Sequence, residues 1–178
     1  MFKFYSDIVS DKDCRAIKEI MLTHLEKKEL SVEHNFTNGS YGYYNLPTTL
    51  LLVDDIEKKI KKDYGDDYIF ENTFTRIYLN GHNLTIHTDR PGLDLTLSVC
   101  IYSNLDFLWP IYISNVEVDG LWSETGSHDQ YAESYQTFVT PIGSGVACLG
   151  TRNPHWRDKL NCKDHQMMIQ SFFHWKKK

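Results

Sequence analysis

A chain of 178 residues, 41% hydrophobic and 24% charged, carries enough apolar material for a sizeable core and is about one domain long. Its formal charge of −5 argues against an extended nucleic-acid surface, which is ordinarily basic. No apolar run approaches a membrane span and Met1-Phe2-Lys3-Phe4 does not open a signal peptide, so a cytoplasmic protein without a membrane partner is expected. The Asn-x-Ser/Thr matches at Asn35, Asn38 and Asn83 are then accidental. Cys14, Cys100, Cys148 and Cys162 show no paired spacing and are expected to be free thiols in a reducing setting.

Helices come first. Ser10, with Asp13 three residues on, marks an N-cap and starts a helix over about 11–28. Cys14, Ile17, Met21 and Leu25 recur at three- and four-residue steps and make its apolar stripe. A Gly/Tyr/Asn-rich loop over 38–45 follows, then a second helix over about 49–62. Leu52, Val53, Ile56 and Ile60 face inward there, while Lys58, Lys59, Lys61 and Lys62 form a solvated face. From Tyr68 the period changes to two, and turn residues separate short β-rich runs at 73–79, 84–87, 96–102, 109–113, 137–139, 146–149, 154–160 and 166–175. Such a series behind two covering helices predicts a mainly β jelly-roll, or double-stranded β-helix. The polar stretch 119–136 is expected to be a long loop, of the kind that often serves as a lid or substrate contact. One domain is expected, with helical support over about 1–67 and a β-helix core over about 68–175.

The chemistry concentrates at His87-Thr88-Asp89, at the end of an apolar strand, and at His155 before another. A strand alternates its faces, so His87 and Asp89 point the same way and Thr88 points away. With His155 they make a two-histidine, one-carboxylate set. Such a facial triad occupies three positions on iron(II) and leaves the others open for reagents. His-x-Asp alone is a weak motif, and a polar pair at a strand end is the bland alternative. His165 and His174, on the neighbouring strand, could be confused with His155 as the distal ligand.

In this order the pieces resemble the iron(II)/2-oxoglutarate-dependent oxygenases, in their prolyl 4-hydroxylase-like branch. The resemblance rests on Arg76-Ile77-Tyr78, Leu84-Thr85-Ile86-His87-Thr88-Asp89-Arg90-Pro91 and Leu97-Ser98-Val99-Cys100-Ile101-Tyr102. It continues through Trp109-Pro110-Ile111-Tyr112, Gly150, Pro154-His155-Trp156-Arg157-Asp158 and Gln170-Ser171-Phe172-Phe173-His174-Trp175. It implies a dioxygenase that takes Fe(II), 2-oxoglutarate as cosubstrate and O2, with His87, Asp89 and His155 as metal ligands and catalytic centre. The implied reaction hydroxylates a C–H bond, giving succinate and CO2 as co-products. A prolyl residue in a peptide or protein, or another amino-acid-like molecule, is the implied substrate.

Members of that branch usually place Lys or Arg about ten residues after the distal histidine, to hold the far carboxylate of the cosubstrate. Here that position is His165, and the sequence departs from the pattern. Arg157 shares the strand face of His155, and its planar fork suits a carboxylate; it is the expected anchor, with His165 second. Tyr78 is expected to hydrogen-bond the cosubstrate, as a tyrosine does there in related enzymes. Arg90 and Tyr102 are candidate substrate contacts. Three other readings share the same residues. A non-enzymatic jelly-roll binding module would leave the triad merely polar. A nucleic-acid demethylase would need a basic track that the acidic balance does not supply. A zinc hydrolase would be expected to show the HExxH helix, which is absent.

Overall fold

The computed structural model describes residues 2–119 and 133–178. In chain order these form β1 (Lys3–Tyr5), α1 (Asp11–Glu26), β2 (Ser31–Glu33), β3 (Ser40–Tyr44), α2 (Pro47–Leu50), α3 (Val53–Tyr64) and β4 (Tyr68–Tyr78). Then come β5 (Leu84–His87), β6 (Leu95–Ser103), β7 (Ile111–Ser114), β8 (Tyr135–Phe138), β9 (Gly145–Cys148), β10 (His155–Arg157) and β11 (Met168–Lys177). Most of the polar stretch over 119–136 lies outside the described residues, and its last positions open β8.

Two antiparallel sheets face each other. The larger has the order β1-β9-β6-β11-β4-β3-β2, the smaller β5-β10-β7-β8. From β4 onward the chain passes between them, so that β4, β6, β9 and β11 lie in the large sheet and β5, β7, β8 and β10 in the small one. That is the jelly-roll, or double-stranded β-helix, expected from the spacing of the runs. The strands β1, β2 and β3 are additional. They widen the large sheet, and their Tyr/Gly/Ser-rich sequences are too short to show a period.

The helices cover the outer face of the large sheet. α1 begins as expected, with the Asp13 amide donating to Ser10 Oγ at 3.2 Å. Its Cys14, Ile17 and Met21 are buried, together with Val53, Ile56 and Ile60 of α3, against Ile77, Leu97, Val99, Ile169, Phe173 and Trp175 of the sheet. The second helical region is broken rather than continuous. α2 starts with Pro47 at its first turn, and α3 begins afresh at Val53, ending where Gly65 takes a φ of 86°. All four cysteines are free, and among the described residues no helix is long and apolar enough to cross a membrane.

Between the irregularities at Glu71 and Ile101, the alternation that buries odd-numbered residues of β4, β6 and β11 under the helices turns even-numbered ones into the space between the sheets. Thr96, Ser98 and Cys100 of β6 therefore share that interior with Asn72, Phe74, Arg76 and Tyr78 of β4, and with Met168, Gln170, Phe172 and His174 of β11. The register fixes the layers. His174 lies opposite both Asn72 and Thr96, and Gln170 opposite Arg76.

Candidate metal centre

His87, at the end of β5, is the direct partner of His155 at the start of β10. This pairing brings together two residues far apart in sequence, with ring centroids 4.4 Å apart. Asp89 stands just beyond β5, its amide tied to the Gly150 carbonyl at 2.8 Å. Its Oδ1 lies 3.8 Å from His87 Nε2 and 3.7 Å from His155 Nε2. The ligand atoms of the three residues lie within 4.8 Å of one another, a grouping able to hold a metal ion.

Each donor is aimed by a partner behind it. His87 Nδ1 donates to the Thr85 carbonyl at 2.8 Å and His155 Nδ1 to the Asn153 carbonyl at 2.9 Å. In both rings the proton is thus on Nδ1, and the Nε2 lone pair faces Asp89. Asp89 Oδ2 accepts the Thr96 hydroxyl, which leaves Oδ1 for the centre. Burial, and then His155, pull His87 down to about 3, so the imidazole is neutral at ordinary pH. Burial pushes Asp89 up, but the imidazoles of His155, His174 and His87 and the Thr96 hydroxyl outweigh it and hold the carboxyl below its usual range. Two imidazoles and one carboxylate converging on one point fit a divalent transition metal, and iron(II) in particular.

Gly150 is there because nothing larger fits. A Cβ at that position would run into Asp89 Oδ2 and lie 2.5 Å from both the Leu93 carbonyl oxygen and Thr96 Oγ1. Phe36 closes the other side. Its ring stacks on His87 at 4.3 Å and 17°, and its carbonyl accepts the Thr85 amide at 2.7 Å. Phe36 takes a φ of 58°, a strained conformation for an aromatic residue, of a kind that collects at functional sites.

A pocket of about 170 Å³ opens onto the triad. Its wall carries Phe74, Arg76, Phe172 and His174 from the large sheet, and its rim Glu33, Tyr44 and Arg90. His174 donates from Nδ1 to Asn72 Oδ1 at 2.8 Å, and burial lowers it to about 4. It lines the pocket but is not one of the three grouped ligands.

The other expected site residues separate into three positions. Arg90 is at the rim, exposed, with Nη1 on the Pro91 carbonyl at 3.3 Å. Tyr78 and Arg157 are buried side by side beyond the pocket. Arg157 is 2% exposed; Nη1 donates to the Trp109 carbonyl at 2.7 Å and Nη2 to Gln170 Oε1 at 3.2 Å, and its guanidinium lies 4.8 Å from the Trp109 ring. Burial pulls this guanidinium below its ordinary value. His165 and Tyr102 are not where they were expected. His165 is exposed in the turn before β11, where its carbonyl accepts the Asn104 side chain. Strict alternation would turn Tyr102 inward with Cys100, but the pairing of β11 with β6 skips Ile101. That bulge moves Tyr102 to the helix side, with the Lys18 ammonium 4.5 Å from its ring.

Neither Arg76 nor Phe36 is singled out for a role by the sequence pattern. Arg76 could have been found, because the alternation that turns Tyr78 inward applies equally two residues earlier. Nothing local marks Phe36, whose role depends on a contact with a strand that follows about fifty residues later.

Solved structures similar to this chain agree on its architecture. A prolyl-4-hydroxylase of Pseudomonas putida matches with a TM-score of 0.72 and 10% identity, over 99% of this chain and 92% of that one. HygX of Streptomyces hygroscopicus, crystallised with nickel and 2-oxoglutarate, matches with a TM-score of 0.67 and 10% identity, over 99% and 82%. The carbocyclase SnoK of nogalamycin biosynthesis, described as non-heme and α-ketoglutarate-dependent, matches with a TM-score of 0.74 and 11% identity, over 98% and 79%. The fold is that of the 2-oxoglutarate oxygenases. No protein-family model matches the chain, and no curated protein matches it. Oxygenase-like structures that differ this much in their named reactions share the scaffold while leaving the substrate to the pocket.

Proposed function

We propose that this chain is an Fe(II)- and 2-oxoglutarate-dependent dioxygenase that hydroxylates a C–H bond of a peptide, protein or amino-acid-like substrate. The observation that carries the reading is the convergence of His87, Asp89 and His155, each held by a partner behind it, at the floor of a pocket in this fold. In the overall reaction 2-oxoglutarate and O2 give succinate and CO2, and one oxygen atom is inserted into the substrate bond. Iron, when bound, would supply the activation of O2; the oxidative decarboxylation of 2-oxoglutarate provides two of the four electrons that O2 takes up, and the substrate C–H bond the other two.

The protein's own part is positioning. His87, Asp89 and His155 would hold the metal, and a two-histidine, one-carboxylate set leaves the remaining positions open for reagents. Thr85, Asn153 and Thr96 fix the directions of those ligands. Phe36, Phe74 and Phe172 surround the centre with apolar surface and keep water away from it. At the rim, Arg90 has one weak backbone contact and free donors for a carbonyl or carboxylate of the substrate, while Glu33 can meet a cationic group. This pairing of opposite charges supports the amino-acid-like substrate, and a prolyl side chain is one small apolar group that the aromatic wall would accept. The free cysteines and acidic balance support a cytoplasmic setting.

The test is an anaerobic titration of the metal-free protein with iron(II) and then 2-oxoglutarate, followed by visible absorption. A saturable charge-transfer band with one equivalent of iron, abolished in Asp89→Ala, is expected. Iron uptake without the band would remove 2-oxoglutarate from the reading, and no uptake would make the chain a jelly-roll binding module.

A further inference from the structure

The branch that the sequence resembles takes the far carboxylate of its cosubstrate on a cation from the strand after the distal histidine. In this chain that strand, β11, presents Met168, Gln170, Phe172 and His174 to the interior, and none is a permanent cation. Directly opposite Gln170, on the neighbouring strand, is Arg76. Arg76 lines the same pocket as the triad, which Arg157 and His165 do not.

Its surroundings are those of a cation awaiting an anion. The guanidinium lies 4.9, 5.5 and 5.6 Å from the rings of Phe74, Phe172 and Tyr78, which hold the fork against aromatic surface. Nη1 donates to the Tyr78 hydroxyl at 3.1 Å, and Nε is buried with no hydrogen-bond partner. Among the described residues no carboxylate pairs with it. A partly buried guanidinium with unused donors is costly until an anion completes it. A planar fork accepts a carboxylate by two parallel hydrogen bonds. Tyr78, which accepts from Arg76, still has its own proton to donate to the same group. Arg157 is a different case. Its Nε is also buried without a partner, but both of its terminal nitrogens are engaged, by the Trp109 carbonyl and Gln170, where Arg76 has only one engaged, and it lies outside the pocket.

We propose that the cation for the distal carboxylate has moved from β11 to β4. On this assignment Arg76, with Tyr78 beside it, binds the C5 carboxylate of 2-oxoglutarate, and Arg157 serves as a structural support behind it. The inference rests on the oxygenase reading. It also assigns the specificity for a dicarboxylate over a 2-oxo monoacid to Arg76.

The measurement is the dissociation constant of 2-oxoglutarate and of 2-oxopentanoate, which has the same chain without the far carboxylate. Both are titrated anaerobically into the iron-loaded protein. Wild type is expected to prefer the dicarboxylate. Arg76→Gln should weaken 2-oxoglutarate roughly 10- to 100-fold, the effect of removing one charge-assisted hydrogen-bonding pair, with 2-oxopentanoate and iron affinity nearly unchanged. Arg76→Lys, which keeps the charge without the fork, should fall between. Arg157→Gln should leave the preference intact. Unchanged iron binding shows that a variant is folded, so an abolished preference cannot be ascribed to collapse. A preference kept in Arg76→Gln, or abolished in Arg157→Gln instead, overturns the assignment while leaving the oxygenase reading in place. A wild type that binds iron but neither 2-oxo acid overturns both.

Discussion

The space between the two sheets has an open end and a closed end, built from the same strands. At the open end β4 and β11 present Asn72, Phe74, Arg76, Phe172 and His174 to a pocket of about 170 Å³ beside the triad. A few residues further along, Tyr78 and Met168 pack with Cys100, Trp109 and Leu160. Each end contains an arginine with no acidic partner among the described residues. At the closed end Arg157 donates to a backbone carbonyl and to Gln170, whose own amide donates to Ser98 Oγ at 2.8 Å. At the open end Arg76 donates from Nη1 to the Tyr78 hydroxyl; the Nε of both arginines is buried without a partner. Residue type does not separate the binding arginine from the supporting one, whereas the terminal nitrogens do: both are engaged in Arg157 and one in Arg76.

The strongest way to break this comparison is to attack the closed end through Gln170. Gln170→Leu keeps approximate size but takes away the acceptor of Arg157 Nη2 and the donor to Ser98 Oγ. A buried cation would be left with one partner fewer, and the expected loss is about 2–4 kcal/mol of folding stability. For a chain of this size each kcal/mol lowers Tm by ~2–4 °C. Denaturant unfolding, alongside iron binding, measures it. A loss below about 1 kcal/mol, within the range of an ordinary surface substitution, would show that Arg157 does not depend on this network.

Gly150→Ala strikes the open end, at the triad itself. The new methyl group would press on Asp89 Oδ2, on Thr96 Oγ1 and on the Leu93 carbonyl, and the last of these is backbone that cannot step aside. Overpacking of this kind costs about 1–3 kcal/mol. Because the Asp89 carboxylate is the group most crowded, iron affinity should fall together with stability. A variant destabilised as expected but with undiminished iron binding would mean that the backbone, and not the ligand, absorbs the strain.

Much of this was legible in the chain because it depends on period and on short spacings. The change to period two at Tyr68 predicted the β core, and the cap at Ser10 predicted α1. His87 and Asp89 were readable as one face of a strand end, and an apolar strand at 155 offered a second imidazole. What escaped depended on exceptions to the period and on long-range contacts. One skipped residue at Ile101 removes Tyr102 from the interior. The turn before β11 leaves His165 in solvent. Phe36 reaches His87 from a loop whose course is set by bonds such as Thr37 Oγ1 to the Glu33 carbonyl, at 2.6 Å, and not by any repeat. Arg76 is legible in part: the alternation that turns Tyr78 inward turns it inward too, but its place opposite Gln170 and beside the triad depends on the register of distant strands.

The finest distinction between the two ends is carried by a single oxygen. Tyr78 belongs by packing to the closed end, its ring set edge-on to Trp109 at 5.0 Å, yet its hydroxyl is the partner of Arg76. Tyr78→Phe removes that oxygen and nothing else. The ring contact with Trp109 and the burial of the side chain remain, so stability should change by no more than about 1 kcal/mol, the worth of one buried hydrogen bond. Arg76 would lose its intramolecular partner and the cosubstrate one donor. These effects act in the same direction on 2-oxoglutarate, and a weakening of roughly 3- to 10-fold is expected, smaller than that of Arg76→Gln because the charge remains. The titration with 2-oxopentanoate decides where the oxygen acts. If the monoacid is unaffected, Tyr78 works through the far carboxylate. If both acids weaken equally, the hydroxyl serves only to shape the pocket, and the boundary between binding and supporting residues runs between Arg76 and Tyr78 rather than beyond them.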